Sequence, residues 1–179
     1  MTGNITKFPL NNNFELHPYQ FAPKVEPDNI PDFIKNHKYK WCVWKAVPKA
    51  NGKGFDKIPC KLVTISNNII NLKTAIPPSD ENDADALKLY KRKINKWLTY
   101  DEALRQYQEE KDEDGNYIFN GIGVLVHTDM AIVDIDKTTK LGQFENINTY
   151  VEYSPSGAGL RIIGKSSGLN AEITNRNNK

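Results

Sequence analysis

Cysteine is scarce in this chain, and long apolar runs are missing from it. Two cysteines, Cys42 and Cys60, cannot form a disulfide framework, so the sequence favours a reducing compartment, although one pairing between them stays open. No apolar run approaches the roughly 18 residues of a membrane span, and the N-terminus lacks the apolar core of a signal peptide. We therefore expect a cytoplasmic protein without a membrane partner.

An excess of charge of either sign is also lacking. The formal net charge is +2, from 24 basic and 22 acidic side chains. This balance gives no strong overall field for nucleic acid, so any basic surface must be local. One candidate is the series of lysines between Lys45 and Lys61, which includes Lys57. It could attract phosphates or be an ordinary solvated surface.

The composition along the chain predicts one folded domain with flanking segments. Residues 1–32 are rich in proline and asparagine, which disfavours helices and ladders and predicts an irregular arm. Residues 33–166 carry the apolar and periodic segments, and we expect them to form the domain. Residues 167–179 are a polar tail or a truncated continuation of that domain.

Local patterns predict several strands and one well-marked helix. Two apolar segments, 41–47 and 55–62, flank a Gly-rich turn and predict a hairpin. Thr99 and Glu102 have the spacing of a capping box, which predicts a helix over residues 100–110. Further strands are predicted at 121–126, 131–136, 150–153 and 161–165. We expect the first two of these to form a second hairpin.

The segment Met130–Lys137, MAIVDIDK, places two carboxylates two positions apart in an apolar, strand-like run. In an extended chain Asp134 and Asp136 share a face, roughly 6.6 Å apart. A divalent cation relieves their mutual repulsion, and carboxylate oxygens are ligands that Mg²⁺ and Mn²⁺ prefer. Taken alone, the pair could equally be solvent-facing residues at the end of a strand.

A loop rich in serine and glycine follows about twenty residues later. Gly157 and Gly159 allow the backbone to turn tightly and expose amide groups, and Ser154 and Ser156 add hydroxyl donors. Such a loop can hold phosphate oxygens, although most Ser/Gly segments before a strand are simple hairpin turns. The next strand begins with Arg161, whose guanidinium could bind a triphosphate through paired hydrogen bonds.

Together the two elements suit metal-dependent nucleotidyl transfer. Cations would lie between the carboxylates and a nucleoside triphosphate, while cationic side chains would neutralise the outgoing phosphates. The candidates for catalysis and metal binding are Asp134 and Asp136. The candidates for nucleotide binding are Lys57, Ser154, Ser156, Gly157, Arg161 and Lys165.

Six segments between Lys40 and Lys165 occur in a telling order: W-C-V-W, K-I-P with Lys57, W-L-T-Y-D-E-A-L, G-I-G-V-L-V, V-D-I-D and E-Y-S-P-S-G-A-G-L-R-I. In this order the chain resembles the N-terminal primase-polymerase domain of the archaeo-eukaryotic primase superfamily, in versions encoded by phages, plasmids and mobile elements. The resemblance implies an α+β fold with an RRM-like, mainly antiparallel sheet and an N-terminal α/β unit. It implies template-directed nucleotide addition with Mg²⁺ or Mn²⁺, on a DNA template or primer, with a replicative helicase as a partner.

Carried over by position, Asp134 and Asp136 match the first metal-binding motif of the family, and Ser154, Ser156 and Gly157 match its nucleotide-binding loop. Arg161 stands where the family's second motif usually ends in histidine, so the contact to the triphosphate is altered but still cationic. The third motif contributes another acidic residue, for which Glu172 alone could stand in.

The departures leave two main interpretations open. The chain is either a primase-polymerase catalytic domain, in whole or as a fragment, or a catalytically silent module that binds nucleic acid on the same fold. A sugar-nucleotide enzyme is a third interpretation, because paired aspartates also hold metal-bound diphosphates in glycosyltransferases. Those enzymes need a nucleoside-binding α/β half, which the sequence does not show.

Overall fold

The computed structural model describes most of the chain in two compact units. One unit contains the described residues up to Leu125, and the other contains those from Val126 onwards. The described residues are 24–51, 55–73, 78, 80, 82–137, 149–155 and 158–166. The residues 1–23 of the predicted arm and the tail 167–179 therefore lie outside them.

The fold is α+β with antiparallel sheets, as the sequence predicts. The larger unit contains a 3₁₀ turn at Pro27–Asn29, helices α1 (Asp32–Lys35), α2 (Ala84–Ile94) and α3 (Tyr100–Glu109), and strands β1 (Trp41–Pro48), β2 (Phe55–Val63), β3 (Asn68–Asn71) and β4 (Gly121–Val124). Its strands form one sheet in the order β3-β2-β1-β4. The predicted hairpin of β1 and β2 is confirmed, with Val43 opposite Cys60.

Helix α3 begins as its sequence predicts and packs on one face of this sheet. The Thr99 hydroxyl accepts a hydrogen bond from the backbone N–H of Glu102, and the Glu102 carboxylate accepts one from the backbone N–H of Thr99. The two reciprocal bonds satisfy donors that a helix start would otherwise leave unpaired. Behind this cap, buried Tyr107 joins Val43 and Cys60 in an apolar core.

A buried glutamine bonds the backbone of β2 at the position where β1 no longer pairs with it. At Trp41, β1 bonds to Leu98 with both backbone groups, each at 2.8 Å, instead of continuing its ladder with β2. The Gln106 side chain of α3 replaces the missing strand: its amide oxygen accepts from the N–H of Leu62 at 2.9 Å, and its amide nitrogen donates to the C=O of Leu62 at 3.0 Å. Gln106 is 7% exposed, so these bonds are shielded from water.

One predicted pairing is wrong: β4 does not form a hairpin with the strand that carries the aspartates. It pairs with β1, where Gly121 lies opposite Trp44, and it ends at Val124. A Cβ atom at Gly121 would lie 2.7 Å from Nε1 of Trp44, so the missing side chain allows the indole to lie against β4. The glycines of β4 thus leave room for the side chains of Trp44 and Cys42 on the neighbouring strand β1.

The two cysteines are free and buried on opposite faces of the larger sheet. Cys60 lies opposite Val43 in the ladder and shares its face, whereas Cys42 precedes Val43 and points to the other face. Burial raises the pKa of Cys42 to about 12 and that of Cys60 to about 11. Both residues therefore act as small apolar core side chains, and the disulfide that the sequence left open does not form.

The smaller unit is a three-stranded antiparallel sheet. It contains β5 (Met130–Asp136), β6 (Tyr150–Tyr153) and β7 (Gly159–Lys165), in the order β5-β7-β6. All three strands lie where the sequence predicts them, with β7 starting two residues early. No helix among the described residues of the chain has both the length and the apolar character needed to cross a bilayer.

Candidate nucleotide and metal site

The two aspartates lie on one face of β5, near its end. In the ladder with β7, Asp134 is opposite Arg161 and Asp136 is opposite Gly159. Alternation along the strand places both carboxylates on the same face, and both residues are exposed while Ile135 is partly buried. The chain leaves the strand at Lys137 with a φ of 57°, a left-handed turn directly after Asp136. The predicted shared face is therefore confirmed.

The same face changes character along its length. At one end Met130 and Ile163 are 7% and 4% exposed. At the other end, three charged residues lie side by side across β5, β7 and β6: Asp134, Arg161 and Glu152. This face thus changes from a buried apolar pair to a row of charged residues, of which Asp134 is the most exposed.

Arg161 lies between two carboxylates. Its Nε donates to Oδ1 of Asp134 at 2.8 Å, and its Nη1 donates to Oε1 of Glu152 at 3.4 Å. The side chains differ in exposure: 60% for Asp134, 32% for Glu152 and 25% for Arg161. The shorter bond is therefore made to the carboxylate that water screens more.

Glu152 is the functional candidate that the sequence analysis missed. Burial raises the pKa of its carboxyl group, and the charge of Arg161 opposes that rise. Asp134 adds a smaller effect in the same direction as burial. The four residues YVEY predict a strand but do not show which neighbour Glu152 faces, and its role becomes visible only from the register of β6 with β7.

The Ser/Gly segment forms the connection from β6 to β7, beside the end of β5. The N–H of Ser154 donates to the C=O of Gly159 at 2.8 Å, and the N–H of Gly159 donates to the Ser154 hydroxyl at 3.1 Å. A Cβ atom at Gly159 would lie 2.6 Å from the backbone oxygen of Ile135. Glycine therefore allows the base of this turn to lie directly against β5, next to Asp136.

The remaining predicted site residues lie at the far end of β7, in the larger unit, or outside the described residues. Lys165 is at the far end of β7, opposite Met130. It follows Arg161 by four residues, so the two are roughly 13 Å apart along the strand. Lys57 is exposed on β2, in the larger unit. The residues that the structure does not describe are Ser156, Gly157 and Glu172.

The donor chemistry of the aspartates suits a hard divalent cation. Asp134 and Asp136 offer carboxylate oxygens on an exposed face, as Mg²⁺ and Mn²⁺ require. Within the described ranges, no group of three or more His, Cys, Asp or Glu side chains is arranged to hold a metal. Part of the coordination would therefore fall to water, phosphate oxygens or a residue outside those ranges.

Comparison with known proteins adds no relative from which a role could be transferred. No protein-family model, curated protein or solved structure matches this chain. A role for this chain can therefore be inferred only from its own residues.

Proposed function

We propose that this chain is a metal-dependent nucleotidyltransferase of the primase-polymerase type, which makes or extends primers in the replication of a mobile element. One observation carries the proposal. Asp134, Asp136, Arg161 and the base of the Ser154–Gly159 turn lie together at one end of the β5-β7-β6 sheet. Acidic groups for cations, a guanidinium for phosphates and a tight turn are the parts that transfer of a nucleotide from a triphosphate needs.

Each residue has a distinct task in this proposal. Asp134 and Asp136 would hold Mg²⁺ or Mn²⁺, which when bound would neutralise phosphate charge and favour deprotonation of the attacking sugar hydroxyl. Arg161 would bind outgoing phosphate oxygens, because its planar group matches their geometry in a paired manner. The two hydrogen bonds between Ser154 and Gly159 fix the base of the turn beside the metal ligands.

A primer-synthesis and extension assay on single-stranded DNA with Mn²⁺ tests the proposal. We expect metal-dependent incorporation by the intact chain, and its loss to background in the double variant Asp134→Ala with Asp136→Ala. The matched control is Glu113→Ala with Asp114→Ala, which removes two exposed carboxylates from a loop of the larger unit. If the intact chain incorporates no nucleotide with Mn²⁺, nor with Mg²⁺ in its place, the catalytic proposal is wrong.

A catalytically silent module that binds nucleic acid is the second candidate. It is favoured by the contact between Arg161 and Asp134, which occupies a metal ligand with a cation of the chain itself. In that case DNA binding would fall with rising salt, as phosphate contacts require, and would not depend on Mn²⁺. The double aspartate variant would then bind DNA at least as well as the intact chain, because it loses two negative charges.

A further inference from the structure

Arg161 cannot keep both of its carboxylate partners if Asp134 binds a metal ion. The guanidinium donates to Oδ1 of Asp134 at 2.8 Å. Asp136 lies on the same face of β5 as Asp134. A divalent cation at the two aspartates would repel Arg161 and compete for the same oxygen. The contact with Asp134 is a weak obstacle to this exchange, because the Asp134 side chain is 60% exposed and water screens its attraction to Arg161.

Glu152 is placed to retain Arg161 after that contact opens. It lies on β6, on the other side of the central strand, and is less exposed than Asp134. Its contact with Nη1 is 3.4 Å, longer than the roughly 2.7–2.9 Å of a good charge-assisted bond. Arg161 can therefore shorten its bond to Glu152 when it leaves Asp134, without leaving this face of the sheet.

We propose that Glu152 is the positioning residue that holds Arg161 beside the site, and that Arg161 exchanges Asp134 for the phosphates of a nucleotide when the cation binds. This inference rests on the proposed function, since it concerns the same aspartates. Glu152 acts through Arg161 and touches neither metal nor nucleotide. The exchange makes metal and triphosphate binding interdependent: the cation displaces Arg161 from Asp134, and the displaced guanidinium meets the phosphates.

The exchange makes opposite predictions for the two ligands. Arg161→Gln removes the cation that competes at Asp134, so Mn²⁺ alone should bind about two- to fivefold more tightly, the range that an exposed ion pair allows. The same variant should bind ATP and dATP with Mg²⁺ about tenfold or more weakly, since a charged phosphate contact is lost. A purely structural role of Arg161 would not strengthen Mn²⁺ binding.

Glu152→Gln tests the positioning role with little change of shape. Of the two carboxylate partners of Arg161, only Asp134 then keeps its charge. Triphosphate binding should therefore weaken about three- to tenfold, while Mn²⁺ binding stays equal or weakens. In the Arg161→Gln background, Glu152→Gln should have no further effect, because a positioning residue acts through its partner. Val133→Thr, on the opposite face of β5, is the control for a general disturbance of the strand.

The measurements are calorimetric titrations with Mn²⁺ alone and with ATP or dATP plus Mg²⁺, on the full chain, with folding checked by circular dichroism. Arg161→Lys serves as a second variant if Arg161→Gln does not fold: it keeps the charge and should weaken triphosphate binding while the pair to Asp134 persists. Equal loss from Glu152→Gln in both backgrounds overturns the positioning role. Failure of the intact chain to bind either ligand refutes the proposed function itself, which is a different result.

Discussion

Gln106 offers the sharpest test of how the larger unit is held together. Its side-chain amide pairs with both backbone groups of Leu62, where β1 has turned to Leu98. Gln106→Leu keeps the side chain similar in size but leaves the N–H and C=O of Leu62 unpaired in a shielded place. Each such group costs about 1–3 kcal/mol, so for the two groups together we expect the free energy of unfolding to fall by about 2–6 kcal/mol.

This loss is measurable because the larger unit contains every tryptophan of the chain. Trp41, Trp44 and Trp97 all lie among the residues up to Leu125, so their fluorescence follows unfolding of that unit in urea. With a slope of about 1–2 kcal/mol per M, the midpoint should drop by roughly 1–6 M. Gln108→Ala is the matched control, because Gln108 is exposed on the same helix and should change stability by less than about 0.5 kcal/mol.

Gln106→Glu separates hydrogen bonding from packing. A carboxylate can still accept from the N–H of Leu62 but cannot donate to its C=O, and it carries a shielded charge. Protonation restores a donor and removes the charge, so relative to the intact chain this variant should gain stability between pH 7 and pH 5. If Gln106→Leu costs no more than Gln108→Ala, the amide does not replace a strand and the argument is wrong.

Three further predictions concern close packing and burial. Gly159→Ala should speed hydrogen exchange in β5 and β7, measured by mass spectrometry, because its Cβ would lie 2.6 Å from a backbone oxygen of Ile135; Gly164→Ala, 3.2 Å from the Thr149 hydroxyl on the same sheet, should change exchange less. Cys42 and Cys60, with pKa values of about 12 and 11, should resist iodoacetamide at pH 8 until urea unfolds the chain. Because both pKa values are raised above the ordinary 9.0, their contribution to stability is complete below pH 9 and is lost as the pH rises towards 11–12. Rapid labelling of the folded chain at pH 8 would contradict the burial of both thiols.

The elements that sequence analysis located correctly have strong local signals. The capping box of α3 depends on Thr99 and Glu102, three residues apart, and is formed as predicted. The hairpin of β1 and β2 follows from two β-rich segments around a short Gly-containing turn. By contrast, β3 consists of the four exposed residues Asn68–Asn71, sequence NIIN. Two apolar residues between two asparagines are too short a pattern to predict a strand.

The wrong pairing of β4 has a physical reason that local patterns do not contain. Two apolar segments joined by three polar residues favour a hairpin, so β4 and β5 were expected to pair. In the structure β4 pairs with β1 instead, and the indole of Trp44 occupies the space that Gly121 leaves open. Whether a glycine makes room for an indole depends on tertiary structure. The sequence alone does not distinguish such a glycine from one that forms a turn.

The charged row on the smaller sheet shows where the limit of sequence analysis lies for a site. Once the serine-glycine segment is known to join β6 and β7, closing the turn between Ser154 and Gly159 sets Glu152 opposite Arg161, so that contact follows from local register. The contact of Arg161 with Asp134 spans 27 residues and depends on β7 being the central strand. Nothing local to either residue specifies that order. Glu152 is therefore deducible as a partner of Arg161 from a hairpin, whereas Asp134 can be identified as a partner only from the order of the strands in the sheet.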